Sequence, residues 1–265
     1  MVVGPHGRKN FLNKMDLKLK GKNALVTGSS QGIGKAIAKI LHTEGCNVTL
    51  NGRNPKNLKK TALEFQDRID TCSADVTKIN DCKKLIQHTK KQWGSIDILI
   101  CNVGNGTSVS PGKETFEEWQ RVFLTNFYSA VNVIEAAKKE LSKTKGTIIC
   151  ISSIAGIETL GGPITYSVAK SALNSYVKNI SKPFAKVGIR INGIAPGNIM
   201  FKESVWMKKL SKNPRAVKQM LKNDVALGKF GTPDEIASFT AFLCSSQSSF
   251  STGSIFVVDG GQIRS

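Results

Sequence analysis

From residue 21 onward, short apolar runs alternate with segments in which apolar residues recur at helical spacing. Residues 23–27 and 96–101 are runs of the first kind, and residues 35–44 show the helical spacing. This alternation is typical of βαβ units, whose strands pair in parallel while helices cover both faces of the sheet. The sequence therefore predicts an α/β fold of the Rossmann type, a doubly wound parallel sheet of about seven strands in a three-layer αβα arrangement.

The same pattern assigns the elements along the chain. The predicted strands are residues 23–27, 47–51, 71–74, 96–101, 147–151, 190–195 and 254–258. The predicted helices are residues 35–44, a segment opened by Asn54-Pro55, a segment capped by Thr77 that ends near Trp93, residues 114–141, residues 165–186 and a last helix from Pro233. Residues 199–227 are polar and rich in lysine, so we expect an irregular lid over the substrate there.

A single domain is expected over residues 19–265, because a chain of 265 residues with 40% hydrophobic composition can bury one sizeable core. Residues 1–18 are rich in Gly, Pro, Lys and Asn, and we expect them to form a flexible tail. The tail has no apolar stretch of the kind found in secretory signals. Apolar runs elsewhere are far shorter than the ~20 residues of a membrane helix, so no membrane partner is predicted.

The chain is strongly basic, with 38 Lys and Arg against 19 acidic residues and a formal net charge of +19. Its lysines are scattered over predicted helix faces without interleaved aromatic residues, so we interpret them as solvated faces and predict no nucleic-acid partner. The six cysteines form no C-x-x-C motif and stand beside no pair of histidines, so they indicate neither a metal site nor a disulfide framework. Reduced thiols fit a cytoplasmic location.

A glycine-rich turn, G-x-x-x-G-x-G, follows the first predicted strand and opens the first predicted helix. Glycines let a phosphate approach the backbone N–H groups at a helix N-terminus, where the helix dipole attracts anions. A plain helix-entry loop is the alternative interpretation. We favour dinucleotide binding, with these contacts: Gly28, Ser30, Gln31, Gly32, Ile33 and Gly34.

The second and third predicted strands end in residues that suit the adenosine half of such a cofactor. The second ends in Asn51-Gly52-Arg53, where an acidic residue would select the ribose hydroxyl of NAD(H). Arg53 can instead pair with a 2′-phosphate, so NADP(H) is predicted over NAD(H), the alternative being a solvent-facing arginine. Asp75 is placed to accept a hydrogen bond from the adenine amino group, or to be a simple turn aspartate.

Tyr166 and Lys170 lie four residues apart on a predicted helix, so their side chains point the same way. A cation beside a phenol favours the phenolate, and lowering a pKa near 10 to neutrality requires about 4 kcal/mol of differential interaction. Such a group can act as a general acid/base on an alcohol oxygen, while the hydroxyl of Ser153, thirteen residues upstream, holds that oxygen. Chance spacing in a lysine-rich chain is the alternative.

These segments together resemble the classical short-chain dehydrogenase/reductase family over roughly residues 19–262. The matching segments are Thr27 to Gly34, Asp75-Val76, Cys101-Asn102-Val103-Gly104, Asn126, Ser152-Ser153, Tyr166 to Lys170, Pro196-Gly197-Asn198-Ile199 and Val257 to Gly261. The chain departs from the family's pattern at Cys101, at Val103 and at Phe201, where a threonine is common. The last departure suggests that a contact to the carboxamide or phosphate of the cofactor is lost.

The resemblance implies hydride transfer between a nicotinamide and a carbonyl or carbinol carbon. It implies that Tyr166 is the general acid/base, that Ser153 donates to the substrate oxygen, and that Lys170 lowers the pKa of the tyrosine and binds the ribose. Asn126 is implied to complete a proton route through a water. Cofactor contacts are further implied for Asp75, Val76, Asn102, Gly104, Tyr166, Lys170, Pro196, Gly197 and Ile199, and a homotetramer or homodimer is expected.

The substrate is the least constrained part of the prediction. We expect a small-molecule or acyl-thioester substrate and an enzyme similar to 3-oxoacyl-acyl carrier protein reductases. A sugar, polyol or nucleotide-sugar dehydrogenase is the alternative. A regulatory protein that binds the cofactor without turnover is an alternative from another class, and the presence of Ser153, Tyr166 and Lys170 argues against it.

Overall fold

The computed structural model describes residues 16–264 of the chain. Its seven strands are β1 (Asn23–Val26), β2 (Asn47–Gly52), β3 (Ile69–Ser73), β4 (Ile98–Cys101), β5 (Thr147–Ile151), β6 (Arg190–Pro196) and β7 (Ile255–Val258). They form one parallel sheet in the order β3-β2-β1-β4-β5-β6-β7. The predicted Rossmann-type fold is confirmed. The chain begins in the middle of the sheet, builds one half outward to β3, and returns to β4 beside β1.

Nine α-helices connect or follow the strands in this part of the chain. They are α1 (Gly32–Thr43), α2 (Pro55–Ala62), α3 (Ile79–Trp93), α4 (Phe116–Phe123), α5 (Ser129–Thr144), α6 (Ile164–Ala185), α7 (Val205–Lys212), α8 (Pro214–Asp224) and α9 (Pro233–Cys244). None of these helices has both the length and the apolar character needed to cross a bilayer.

Two apolar cores lie on opposite faces of the sheet because successive strand residues point to opposite sides. Leu25 faces a core formed with α3, α5 and α6, whereas its neighbour Val26 faces a core formed with α1 and α9. The central strands β1, β4 and β5 are buried throughout. These three strands read as continuous apolar runs because both of their faces are covered.

Local sequence signals account for several helix ends. Thr232 and Glu235 form a reciprocal capping box at the start of α9, with Pro233 in the first turn. The side chain of Asn54 caps α2 in the same way by accepting from two backbone N–H groups. The expected cap of α3 at Thr77 is wrong, because that helix begins one residue later and its N-cap residue Lys78 makes no capping bond.

The segment expected to be one long helix over residues 114–141 is divided. A π-helical turn over Leu124–Tyr128 separates α4 from α5, so one extra residue is inserted into the helical repeat. The expected irregular lid is also corrected, since residues 199–227 contain α7 and α8. Ser204 caps α7 by accepting from the Met207 N–H at 3.0 Å, and Asn213 caps α8.

Most of the expected flexible tail, residues 1–15, lies outside the described residues. Two of its last three residues, Asp16 and Leu17, contact the domain. Leu17 packs against the core on the α1 side of the sheet, and the Asp16 carbonyl accepts from the side chain of Gln247 at 3.0 Å.

The core on the α5 side can be tested at Phe184, near the end of α6, because the side chain of this residue is fully buried. We expect Phe184→Ala to lower the free energy of unfolding by about 3–5 kcal/mol, since it leaves a cavity as well as losing transfer energy. Urea denaturation followed by circular dichroism measures the change. Phe250→Ala, at a fully exposed phenylalanine, is the matched control and should change stability by less than about 0.5 kcal/mol. Equal losses in both variants would contradict this account of the core.

Candidate active site

Four parallel strands, β1, β4, β5 and β6, end at one edge of the sheet, and the predicted site residues follow those ends. The strand order reverses between β1 and β4, because β1 continues to β2 on one side and β4 to β5 on the other. Helices leave the two sides in opposite directions there, which opens a crevice at the carboxyl ends of the strands. The fold therefore brings together residues that are far apart in the sequence.

Ser153 follows β5 and differs from its neighbour Ser152 in what its hydroxyl does. Ser152 is buried and bonded to the fold: its N–H donates to the Ile194 carbonyl at 2.7 Å and its hydroxyl lies 3.4 Å from the Lys170 carbonyl. The Ser153 hydroxyl accepts the Ala155 N–H, at 3.2 Å, and lies beside Tyr166. Of the two serines, Ser153 is therefore the one whose hydroxyl lies next to Tyr166.

Tyr166 lies in the first turn of α6, partly buried, with its phenol against the loop that follows β4. A Cβ at Gly106 would stand only 3.8 Å from the phenol carbon. Burial raises the pKa of Tyr166, and the Ser153 hydroxyl acts in the opposite direction. The lowering of this pKa that was expected from Lys170 stays a prediction.

Lys170 lies one turn after Tyr166 on α6 and is almost completely buried. Its Nζ donates to the Ile151 carbonyl at 2.9 Å and stands 5.9 Å from the centre of the Tyr166 ring. Burial lowers the pKa of Lys170 to about 8, because a charged ammonium loses solvation there. The amine behind the phenol is therefore mostly protonated at neutral pH but loses its proton more easily than an exposed lysine amine.

Asn126 lies in the π-helical turn and is buried. Its Oδ1 accepts from the Asn105 N–H at 2.8 Å, and its Nδ2 donates to the carbonyls of Asn105 and Val122. A Cβ at Gly104 would lie 3.1 Å from both Asn126 Oδ1 and Lys170 Nζ, so these groups meet across that glycine. The side chain of Asn126 thus positions the loop after β4 beside Lys170.

A polar network next to Tyr166 was missing from the sequence prediction. Thr165 Oγ1 and Ser108 Oγ are 2.7 Å apart, and Ser108 donates to Glu118 at 2.6 Å. Arg121 donates to both carboxylate oxygens of Glu118 and to the Thr107 carbonyl. Arg121 and Ser108 lower the pKa of Glu118 to about 2. The network ties the loop after β4 to the start of α6, and no motif in the sequence marks these scattered residues.

The glycine turn has the backbone that the sequence predicts. Gly28 and Gly32 adopt the left-handed region, with φ of +62° and +56°. The N-terminus of α1 has no side-chain cap at Gln31 and no acidic residue in its first turn. Among the described residues, no side chain therefore satisfies the first N–H groups of α1. They suit the phosphates of a dinucleotide, because an anion completes an uncapped helix N-terminus.

Asn102, expected to contact the cofactor, supports this turn in the structure. Its Nδ2 donates to the carbonyls of Thr27 and Gly28, each at 3.1 Å. The close packing also explains Gly34, because a Cβ there would lie 2.4 Å from that Nδ2. Ser30 lies in the turn. Ile33 lies in the first turn of α1, because this helix begins at Gly32, three residues before the predicted start.

At the adenosine end, Asn51 is buried and donates to the carbonyls of Cys72 and Ala74, while its Oδ1 has no hydrogen-bond partner among the described residues. Arg53 is exposed and forms no ion pair with the described residues. One oxygen of Asp75 accepts from both the N–H and the hydroxyl of Thr77, so the turn interpretation of Asp75 holds for that oxygen. Val76 is buried in the core beside it.

The segment from Pro196 to Ile199 forms the base of the lid. The Gly197 N–H donates to the Val258 carbonyl at 3.0 Å, and a Cβ there would lie 2.7 Å from Asp259. Ile199 pairs with Gly231 in an isolated bridge and is buried in the core. Two residues later, the ring of Phe201 lies directly over Gly32.

A large cavity of about 840 Å³ lies elsewhere, between the start of α3 and the π-helical turn. It is lined by Thr77, Lys78, Ile79, Asn80, Asp81, Lys84, Leu124, Tyr128 and Asn132. None of the predicted site residues lines it. We therefore place the candidate active site by the convergence of Ser153, Tyr166 and Lys170 and not by cavity size.

Comparisons with known proteins agree with the fold described above. Residues 28–262 match the sequence profile of the family described as enoyl-(acyl carrier protein) reductase. The 3-oxoacyl-[acyl-carrier-protein] reductase FabG of Chlamydia muridarum is 36% identical over 256 residues, which cover 93% of this chain and 99% of that protein.

Two solved structures are similar in fold. L-sorbose reductase from Gluconobacter frateurii, complexed with NADPH and L-sorbose, has a TM-score of 0.88 and 29% identity, and the alignment covers 95% of this chain and all of that one. A 7α-hydroxysteroid dehydrogenase complexed with NADH and 7-oxo glycochenodeoxycholic acid has a TM-score of 0.86 and 28% identity, covering 94% and 97% of the two chains.

The buried amine of Lys170 predicts a pH dependence of stability. Its pKa is about 8 in the folded chain, against 10.5 for an exposed lysine amine, so between these values the unfolded chain binds more protons. Stability from this group is therefore lowest below pH 8 and recovers as the pH rises. We expect the unfolding free energy of the wild type, relative to Lys170→Met, to rise by on the order of 2 kcal/mol from about pH 7.5 to about pH 9.5.

Urea unfolding at several pH values measures this difference. Lys178→Met, at an exposed lysine on the same helix, is the control and should show no comparable change with pH. A difference between wild type and Lys170→Met that stays constant or falls over this range would show that Lys170 is not held as a destabilised cation.

Proposed function

Because this chain belongs to the short-chain dehydrogenase/reductase family of NAD(P)-dependent oxidoreductases, we propose that it uses NADP(H) to interconvert a ketone and a secondary alcohol. The substrate we favour is a 3-oxoacyl thioester. The observation that carries the proposal is the convergence of Ser153, Tyr166 and Lys170 at the sheet edge that also carries the uncapped glycine turn. Hydride chemistry needs a proton donor and a dinucleotide site together, and the residues at this edge would supply both.

The residues of the chain would handle the proton and the oxygen. Since burial raises the pKa of Tyr166, its phenol is protonated at neutral pH and can donate to a carbonyl oxygen as that oxygen gains charge. Ser153 would donate a second hydrogen bond to the same oxygen. A bound nicotinamide supplies the hydride in reduction and accepts it in oxidation.

Lys170 would stabilise the phenolate that Tyr166 becomes after it has given up its proton. Its ammonium lies near the tyrosine ring, and with a pKa of about 8 it is mostly protonated at neutral pH. Lys170 could then return a proton towards the phenolate, and we propose that Asn126 supports this route by holding the adjoining loop in place. The route from Lys170 to solvent through a water belongs to the same proposal.

The residues present fit a dinucleotide. Gly28 and Gly32 shape the turn, and the first N–H groups of α1 would bind its phosphates. At the other end, the orphaned and buried Oδ1 of Asn51 marks a place for a hydrogen-bond donor. Arg53 would pair with a 2′-phosphate, and the second oxygen of Asp75 would accept from the adenine. The remaining contacts proposed are Ser30, Gln31, Ile33, Gly34, Val76, Asn102, Gly104, Pro196, Gly197 and Ile199.

Two observations favour an acyl substrate over a sugar. The loop between Ser153 and Tyr166 exposes apolar side chains, Ile157 and Leu160, where a sugar would call for hydrogen-bonding groups. The relative from Chlamydia muridarum acts on 3-oxoacyl groups by its name. A sugar or polyol substrate remains the second candidate because of the likeness to L-sorbose reductase.

The protein is also proposed to assemble as a homotetramer or homodimer in the cytoplasm. Phe116, Leu124 and Tyr128 expose large apolar side chains around α4 and the π-helical turn, as an interface between copies would require. Sedimentation velocity tests the assembly, and a monomer at micromolar concentration would contradict it. Fractionation of cells tests the location.

A substrate panel tests the reaction. Ketoacyl thioesters, ketoses and nucleotide-sugars are each offered with NADPH or NADH, and absorbance of the reduced nicotinamide is followed. Fastest turnover with a 3-oxoacyl thioester and NADPH is the expected result. Preference for a sugar would support the second candidate, and cofactor binding without any turnover would point to a regulatory protein.

Tyr166→Phe removes the proposed acid/base while keeping the ring. We expect the turnover number to fall by about 10²–10⁴-fold with cofactor affinity nearly unchanged, because only proton transfer is lost. Tyr176→Phe is the matched control on the same helix, since the Tyr176 hydroxyl has no hydrogen-bond partner among the described residues. Near-normal turnover by Tyr166→Phe would remove this tyrosine from the mechanism.

Arg53 is the proposed contact to the 2′-phosphate. Arg53→Ala should raise the Kd for NADPH about tenfold, as expected for loss of one charged hydrogen bond, and leave the Kd for NADH unchanged. Isothermal titration calorimetry measures both constants, and Lys56→Ala, at an exposed lysine on α2, is the control. Equal losses for the two cofactors would mean that Arg53 does not read the phosphate.

A further inference from the structure

Phe201 lies where the lid begins and covers the glycine turn. A Cβ placed on Gly32 would stand 2.8 Å from the Phe201 Cε2 atom and 2.9 Å from Cζ. Gly32 is the first residue of α1, so the phenyl ring lies against the backbone that should meet the phosphates of the cofactor. The ring also packs against the apolar core on the α1 side, which holds it there.

The Phe201 ring stands on the side of Gly32 to which a Cβ would point, at the start of α1. The first N–H groups of α1 are uncapped and need an acceptor, and a phenyl ring offers none. A phosphate needs those same N–H groups at hydrogen-bond distance. A diphosphate bound to them would therefore come close to the Phe201 ring.

The connection from Phe201 to the lid is short. Ile199 and Met200 are fixed to Gly231, the first by the isolated bridge and the second through an N–H that donates to the Gly231 carbonyl at 2.9 Å. Phe201 is the first residue beyond this anchor, and its N–H lies 3.4 Å from the Ser204 hydroxyl that caps α7. A movement of Phe201 therefore acts on the start of α7.

We propose that Phe201 is a gate that competes with the cofactor diphosphate for the glycine turn and couples cofactor binding to the position of α7. The proposal rests on the proposed role of the turn as the cofactor site. The ring lowers the apparent affinity by the fraction of molecules in which it covers Gly32. When the Phe201 ring moves away from Gly32, α7 becomes free to change its position while the cofactor is bound.

The test replaces the ring with a methyl group in Phe201→Ala, which adds no hydroxyl that could itself bind the cofactor, and measures the Kd for NADP⁺ by calorimetry. We expect the Kd to fall about fivefold, because the competing ring is gone. Adenosine 2′-monophosphate, which carries no diphosphate, should bind the variant and the wild type equally. Phe230→Ala is the matched control, because Phe230 packs on Trp206 of the lid, at 5.5 Å between ring centres, and not on the turn.

An unchanged or higher Kd for NADP⁺ in Phe201→Ala would overturn the gate, as would an equal effect of Phe230→Ala or an equal change for adenosine 2′-monophosphate. Should Phe201→Ala not fold, Phe201→Leu keeps apolar packing and should still lower the Kd. If NADP⁺ binds the wild type with the same Kd as the variant, the gate fails while the proposed cofactor site stands. If NADP⁺ binds neither protein, both proposals fail.

The wild-type protein gives an independent readout through Trp206 on α7. Its signal is the difference in tryptophan fluorescence between the wild type and Trp206→Phe. We expect NADP⁺ to change this difference and adenosine 2′-monophosphate to leave it unchanged. A Trp206 signal that is constant during saturation with NADP⁺ would show that α7 does not respond to the cofactor, and would overturn the coupling.

Discussion

The hydrogen bond from Lys170 Nζ to the Ile151 carbonyl joins the two halves of the candidate site. It holds an amine in a place where burial opposes its charge, and it ties α6 to the end of β5. Ser153 leaves the same strand end two residues later, and Tyr166 lies one turn before Lys170. This one bond therefore links the strand end that leads to Ser153 with the helix that carries Tyr166 and Lys170.

The glycine turn and the lid are held by contacts other than the Lys170 hydrogen bond. Asn102 is bonded to the carbonyls of the turn from the end of β4, so the turn is shaped by the neighbouring strand and not by α1 alone. The N-terminus of α1 is left without a cap, and the lid begins with an aromatic ring resting on it. An uncapped helix end is a cost to the fold that a bound anion can remove.

The sheet could be predicted from the sequence because strands covered on both faces must be apolar, and residues 147–151 matched β5 to the residue. The clustering of Ser153, Tyr166 and Lys170 followed from helical spacing and from the family resemblance.

The π-helical turn could not be predicted, since Leu124–Tyr128 contains no Gly or Pro to mark it. The contacts of Ser108 with Thr165 and Glu118 join segments that are separated in the chain, and local patterns do not report such pairs. The two helices in the polar residues 199–227 were not predicted, because only single residues, the caps Ser204 and Asn213, mark where they begin.

The ion pair of Glu118 and Arg121 holds the loop that lies over the Tyr166 phenol. This ion pair responds to pH and to salt differently from Lys170. With a pKa of about 2, Glu118 keeps its charge throughout the range in which Lys170 titrates. Because the pair lies at the surface, dissolved ions weaken it, whereas they reach the buried amine poorly. Acidity and ionic strength thus act on two different parts of the candidate site, the first on the charge of Lys170 and the second on the ion pair that holds the loop.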